Sequence, residues 1–339
     1  MKRMLFIILF LFMGSAAALV SLELFLRANP GFGYQVNSYK PYADEYLSKL
    51  MWRKRPALLL GYENIPNFSG MNSYGLVSKQ YPLKKNINTY RILVLGDSVG
   101  EGLDTDFLED LLNSNDYLRV KYNFEIWNGS VGGYDVRRYY LYLKYKGLSY
   151  HPDSVLIFLC LNDFGIDTSV YYKDEHGVVR CSYYVSSELL KRYPPNLFLM
   201  QHSYLYRFLV LRLNRYLMNL QSAKADIDPQ GSEGADYLAG IKDICDARHL
   251  RLVAVIWPYL KPLNEYNDLE KQQYAEIMRA VKTVHIDYLD LHQHLLPQSM
   301  YDLRISKEDQ IHSKGEKSHA AMKAVYDYVS NNLINSSQR

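Results

Sequence analysis

The chain has 339 residues, 48% of them hydrophobic and 22% charged, with a formal net charge of +3. That is enough apolar material for one large domain with additions, or for two domains. The charge balance, with no basic cluster, excludes a nucleic-acid-binding surface and an acidic tail, and Cys160, Cys181 and Cys245 are too few and too scattered for a disulfide framework or a zinc site. Small buried hydrophobes are their expected role.

Lys2 and Arg3 precede an uncharged apolar run from Met4 to Leu22, just long enough to cross a hydrocarbon core as a helix. Basic residues ahead of the span favour a cytoplasmic N-terminus, which places everything after it outside the cytoplasm. Ala16-Ala17-Ala18 offers the small residues of a signal cleavage site. An anchor at residues 1–22 is preferred because apolar character continues through Leu19, Val20 and Leu22, and both readings export the rest of the chain, periplasmic or at the cell surface. Residues 23–90, interrupted by Pro30, Pro41, Pro56, Pro66 and Pro82, read as a stem and an N-terminal wrap, with turn clusters at Asn67-Phe68-Ser69-Gly70 and Asn72-Ser73-Tyr74-Gly75.

Residues 91–335 then alternate strand and helix. Ile92 to Leu95 is a fully buried type of strand that ends in Gly96-Asp97-Ser98. Asp104 or Thr105 can cap the next helix. Asn123 to Asn128 reads as a second strand ending in the glycine-rich Gly129-Ser130-Val131-Gly132-Gly133-Tyr134, and Asp135 can cap a helix that Gly147 stops. Val155 to Leu159 is a third strand, running out at Asn162-Asp163. Over residues 164–231 the alternation lapses into a tyrosine-rich insertion, with Tyr171-Tyr172 and Tyr183-Tyr184, that carries one amphipathic helix from about Tyr206 to Leu220. The alternation resumes with a helix near Tyr237 to Ala247, a strand Leu252 to Trp257, a helix near Leu269 to Val281, a strand Val284 to Leu289 and a helix from His319 to about Asn332. Such a pattern predicts a three-layer α/β/α sandwich around a mostly parallel sheet of five strands.

Polar or glycine clusters close three of these strands, where open α/β sheets bind ligands. A further cluster, Asp309-Gln310-Ile311-His312, precedes the last helix. Serine, histidine and aspartate are what nucleophilic acyl transfer requires: an imidazole must take the proton of a weakly nucleophilic hydroxyl, and a carboxylate must hold that imidazole in the right tautomer.

On these blocks the chain resembles the SGNH (GDSL) hydrolase family, whose motifs occur here in order: Gly96-Asp97-Ser98, Asn128 to Tyr134, Asn162-Asp163 and Asp309-Gln310-Ile311-His312. The resemblance spans roughly residues 60–335 and implies Ser98 as nucleophile, His312 as base and Asp309 as its orienting acid. It also implies an oxyanion hole made by the Ser98 amide, the Gly133 amide and the Asn162 side-chain amide, in a flavodoxin-like fold. Which amide of the Gly132-Gly133 doublet serves is assigned to Gly133 by alignment. Two positions depart from the pattern: Cys160 stands where the third block usually begins with glycine, and Lys317 where a glycine follows the histidine.

His285 and Asp287 are expected on one strand face, with His292 and His294 beyond its end, so no metal site is expected, nor any cofactor. The insertion's tyrosines can stack on sugar rings or simply pack. The expected activity is a serine esterase acting on a short-chain acyl ester, borne by a small molecule, an envelope carbohydrate or a lipid. An O-acyltransferase of an extracytoplasmic polysaccharide is the alternative, and a binding protein with a vestigial triad is the third.

Overall fold

The computed structural model describes residues 2–29, 52–57, 59–166, 169–173, 179–183, 194–222 and 231–336. The chain divides into two compact units, residues 1–63 with 168–228, and residues 64–167 with 229–339. Residues 64–90, the later part of the expected stem and N-terminal wrap, cluster with the unit that holds the sheet.

That unit is built on five strands: β1 (Thr89–Leu95), β2 (Asn123–Asn128), β3 (Ser154–Cys160), β4 (Arg251–Trp257) and β5 (Asp287–Asp290). They hydrogen-bond in the order β2-β1-β3-β4-β5, and every pairing is parallel. Parallel strands need crossovers, and the helices of the crossovers cover both faces, which is why β1, β3 and β4 are near-continuous aliphatic runs rather than alternating ones. On one face Ile92, Val94, Phe158 and Val255 pack with Leu108 and Leu112 of helix Thr105–Ser114 and with Ala321, Met322 and Val325 of helix His319–Ser336. The alternate residues Leu93, Leu95, Ile157 and Ile256 are equally buried beneath helices Val136–Tyr145, Gly231–Ala247 and Asp268–Thr283. The expected three-layer architecture is therefore present.

Asp104 and Asp135 both cap their helices, accepting from Phe107 N at 3.0 Å and Arg138 N at 2.9 Å. The last strand is displaced from its expected span. Val284 ends a helix, and His285, at φ 55°, turns the chain so that Ile286 N reaches back to Val281 O; pairing begins only at Asp287. His285 and Asp287 therefore do not share a strand face. His292 and His294 lie in the short helix Leu291–His294, where His294 Nδ1 pairs with Asp290 O at 2.9 Å. Cys160 and Cys245 are buried free thiols.

In the other unit the first helix runs unbroken from Lys2 to Ala28, past the expected end at Leu22. It is long and apolar enough to cross a membrane, with a mean hydropathy of 1.6 over Phe10–Ala28. Strands Lys54–Ala57 and Gly61–Asn64 form one two-stranded sheet, and Ser169–Lys173 and Val179–Tyr183 form an antiparallel hairpin that the sequence did not suggest. The expected insertion helix is Tyr204–Ser222, preceded by helix Leu197–His202. Tyr171 and Tyr172 are buried, and Tyr62 packs edge-on to Tyr171 at 4.9 Å, so this pair serves packing rather than offering its faces to a ligand. Tyr184 lies outside the described residues.

Beneath β1 a fully buried Arg91 donates to Glu125 at 2.8 and 3.0 Å and to the carbonyls of Leu83, Pro82 and Tyr150, with its guanidinium 4.1 Å from the Trp127 ring. Removing one partner strands a buried charge. Glu125→Leu should cost about 3–5 kcal/mol in denaturant unfolding, and adding Arg91→Met should recover a substantial part; a double variant no more stable than the single one would show that the pair is not coupled.

Candidate active site

The Ser98 turn forms because β1 ends at Leu95 and Asp97 caps the next helix, Ser98–Gly102, accepting from Val99 N at 2.8 Å. The neighbouring turn is laced to it. Val131 N donates to Gly96 O at 3.0 Å, and Asn128 Nδ2 to Gly100 O at 2.9 Å. Close approach explains the glycines here: a Cβ on Gly102 would sit 2.7 Å from Ser313 O, in the loop of the histidine.

That loop comes from the far end of the chain and is pinned to the end of β4. Trp257 Nε1 donates to Ile311 O at 2.8 Å, Leu260 N to Gln310 O at 2.7 Å, and Arg304 to Leu260 O. It is also pinned to the exit of the serine helix. Gly315 N donates to Gly102 O at 3.2 Å, Asp104 N to Ser318 Oγ at 3.0 Å, and His319 Nε2 pairs with Asp104 Oδ2 at 2.9 Å while stacking on Phe107.

The result is a hydrogen-bonded chain of three side chains. Ser98 Oγ lies 2.9 Å from His312 Nε2, and His312 Nδ1 lies 2.9 Å from Asp309 Oδ2. The carboxylate at Nδ1 makes that nitrogen the donor and leaves Nε2 free to accept the serine proton. Asp309 also accepts from the amides of His312 at 2.8 Å and Ile311 at 3.0 Å. Partial burial pushes its carboxyl up, but those two amides and the imidazole outweigh it and hold the group below the usual carboxylate range.

Gly133 and Asn162 follow the strands on either side of β1, at the same carboxyl edge as Ser98. Glu101, one helical turn after Ser98, accepts from Gly132 N at 2.5 Å through Oε2, and the neighbouring Gly133 stands at φ 80°. The side-chain amide of the exposed Asn162 has no protein partner among the described residues. Its turn is held by Asp163, whose Oδ2 accepts from Cys160 N and from Tyr139 Oη, both at 2.8 Å. Cys160 thus supplies an amide to this turn in place of the expected glycine. Lys317 instead donates to Arg304 O at 2.7 Å, closing the histidine loop.

Leu161, Phe164 and Gly165, beside the Asn162 turn, line a groove of about 760 Å³ together with residues of helix Asp268–Thr283, among them Gln272, Gln273, Glu276 and Arg279. No cluster of three metal-ligating side chains occurs among the described residues. Sequence reasoning overlooked Glu101, the Asp104–His319 pair and the anchoring role of Asp163. Only the spacing of Glu101 from Ser98, one helical turn, was legible beforehand.

Asp163 is fully buried with Oδ1 unpartnered, and burial, then the charge of Asp97, push its carboxyl well up. Asp97 is likewise raised, chiefly by burial. The two signs differ in their consequence. The stability contributed by Asp309 is present above the ordinary carboxylate range and is lost as pH falls through its lowered value. Asp163 ionises first in the unfolded chain, so stability is lost as pH climbs from the ordinary range toward its raised value. Asp163→Asn should therefore flatten the loss of stability as pH rises above the ordinary carboxylate range, read from denaturant midpoints. An unchanged slope would mean that the folded protein carries Asp163 ionised.

No protein-family model matches the chain, and no curated protein does. Among solved structures it is similar to an acetyl xylan esterase (13% identity over 71% of this chain and 98% of that one, TM-score 0.42) and to a lipase/acylhydrolase from Enterococcus faecalis (13%, 72% and 97%, 0.42). A GDSL-like lipase from Bacteroides thetaiotaomicron is similar at 11% identity over 71% of this chain and 88% of that one, with a TM-score of 0.38. By its strand order and the crossovers on both faces, the unit that holds the sheet is an α/β/α sandwich around a five-stranded parallel sheet.

Proposed function

We propose that the protein is a serine esterase of the SGNH/GDSL type, tethered by its first helix and working outside the cytoplasm. The observation that carries this reading is the unbroken chain from Ser98 Oγ through His312 to Asp309, at 2.9 Å for each link. Ser98 Oγ attacks the ester carbonyl carbon while its proton passes to His312 Nε2, and Asp309 stabilises the imidazolium through Nδ1–H. The oxyanion accepts from the amides of Ser98 and Gly133 and from Asn162 Nδ2. His312 then returns the proton to the leaving alcohol, and a water deprotonated by the same Nε2 releases the acid from acyl-Ser98.

The groove beside Asn162 favours an alcohol carried on a carbohydrate. Its side-chain amides and carboxylate are groups that pair with hydroxyls, and its apolar lining suits a sugar-ring face. The same groove admits a second sugar as acceptor, which makes O-acyl transfer the second reading. Release of free acid with or without added oligosaccharide separates the two.

Ser98→Ala and His312→Ala should each reduce turnover of a short-chain aryl ester to near background, and the double variant should lose little more. Asp309→Asn should be severe, since the amide can favour the wrong imidazole tautomer, and Asn162→Ala should cost about 10²–10³ in kcat as one of several oxyanion donors. A folded Ser98→Ala variant with full activity would sink the assignment of Ser98 as nucleophile, whereas a wild-type protein without ester turnover would leave the binding-protein reading. Glu101→Ala should lower kcat about tenfold with KM little changed, for loss of one charge-assisted hydrogen bond of about 1.5 kcal/mol. Glu101→Gln, which still offers an acceptor to Gly132 N, should restore much of that; equal damage from both would show that Glu101 does not act through the glycine turn.

A further inference from the structure

The unit that contains the first helix carries an apolar stripe that its own packing leaves uncovered. On helix Tyr204–Ser222, Leu209, Leu213 and Tyr216 recur at helical spacing and are 54%, 58% and 62% exposed, and Phe198 on the preceding helix is 67% exposed. Besides Arg207, which is buried against the Tyr204 ring, the helix contains Arg212 and Arg215 and no acidic residue. Exposed Arg212 lies between Leu209 and Leu213.

Its start is fixed to the first helix by a polar clamp. Glu23 accepts from Leu205 N at 2.7 Å, Ser203 Oγ at 3.0 Å and Tyr204 N at 3.1 Å; Arg27 bonds the same carboxylate at 2.8 Å and donates to His202 O at 2.6 Å. Glu23 directly follows the uncharged run Met4 to Leu22, whose Phe10, Leu11 and Phe12 are 71%, 62% and 71% exposed. The apolar stripe therefore starts where an apolar membrane-crossing run would leave the bilayer.

We propose that helix Tyr204–Ser222 lies on the outer surface of the lipid bilayer that the first helix crosses, as a second point of membrane attachment. This rests on reading the first helix as an anchor. Leu209, Leu213 and Tyr216 enter the boundary between headgroups and acyl chains, and Arg212 reaches back to the lipid phosphates. A basic amphipathic helix without acidic residues is complementary to anionic lipid. Continuity with the anchor and this charge favour a bilayer over a second copy of the chain as the occupant.

The test uses the full chain with Cys181→Ser, in liposomes of phosphatidylcholine and phosphatidylglycerol, spin-labelled singly at Leu213→Cys, Phe12→Cys or Asp110→Cys. We expect the label at 213 to match that at 12, accessible to oxygen and shielded from a water-soluble nickel chelate, with the label at 110 showing the reverse. Nickel access at 213 equal to that at 110, with 12 still in lipid, would overturn the surface helix and leave the anchor standing. Nickel access at 12 would overturn the anchor reading and this inference with it. Shielding of 213 from both reagents would mean that protein covers the stripe, which also overturns it. Leu209→Cys repeats the measurement should the Leu213 variant not fold.

Discussion

The 2.9 Å contact between Ser98 Oγ and His312 Nε2 joins residues 214 apart in sequence, and the geometry of the candidate site depends on holding it. Serine sits on a rigid element, the end of a strand buried on both faces. Histidine sits on a loop, and loops are ordinarily the softer partner. Here the loop is fastened at both ends: to the end of β4 through Trp257 and Leu260, and to the serine helix through Gly102 and Asp104. The contact is thus a property of how the sheet's edge is closed, not of the loop alone. Positioning of this kind carries much of the rate advantage in acyl transfer, because small displacements of the reacting atoms are costly.

Sheet order supplies the rest of the arrangement. With β1 flanked by β2 and β3, the turns after all three strands meet at one edge, and the order β2-β1-β3-β4-β5 reverses direction at β1. Open α/β sheets bind ligands at such a reversal. Hydrogen bonds from Val131 N to Gly96 O and from Val136 N to Asp163 O tie each neighbouring turn to the next. The serine, glycine and asparagine turns consequently form one connected backbone network.

Much of this was legible in the sequence because parallel strands buried on both faces announce themselves as aliphatic runs, and because their ends carried chemistry-bearing residues in a fixed order. What failed was local. The span Val284 to Leu289 looks like a strand, yet His285 adopts a left-handed conformation and the chain turns before it pairs. The hairpin Ser169–Lys173 with Val179–Tyr183 has strand-forming tyrosines and valines, but its arms are joined by residues 174–178 with a lone Gly177 rather than by the two-residue turn that announces a tight hairpin. Glu101 and the pairing of Asp104 with His319 escaped notice for a different reason: each acts through a contact distant in sequence, and a lone carboxylate or imidazole on a helix carries no pattern.

The two acids beside the reacting residues follow a common electrostatic logic. Asp97 precedes Ser98 and Asp163 follows Asn162, so each lies next to a donor assigned to the oxyanion hole. An ionised carboxylate there would oppose the negative charge that builds on the substrate oxygen, and in a buried site that opposition is poorly screened. Burial raises both carboxyls and the charge of Asp97 raises that of Asp163 further, while hydrogen bonds from Val99 N to Asp97 and from Cys160 N and Tyr139 Oη to Asp163 act in the opposite direction. A neutral Asp163 keeps its acceptor oxygen for the turn that carries Asn162 while adding no negative charge beneath it. Asp309 is treated in the opposite way: it is partly exposed, is supplied with two backbone amides, and is held ionised where a developing imidazolium needs a counter-charge. The same side chain is therefore shifted in opposite directions within one site, upward where the neighbouring charge that develops is negative and downward where it is positive.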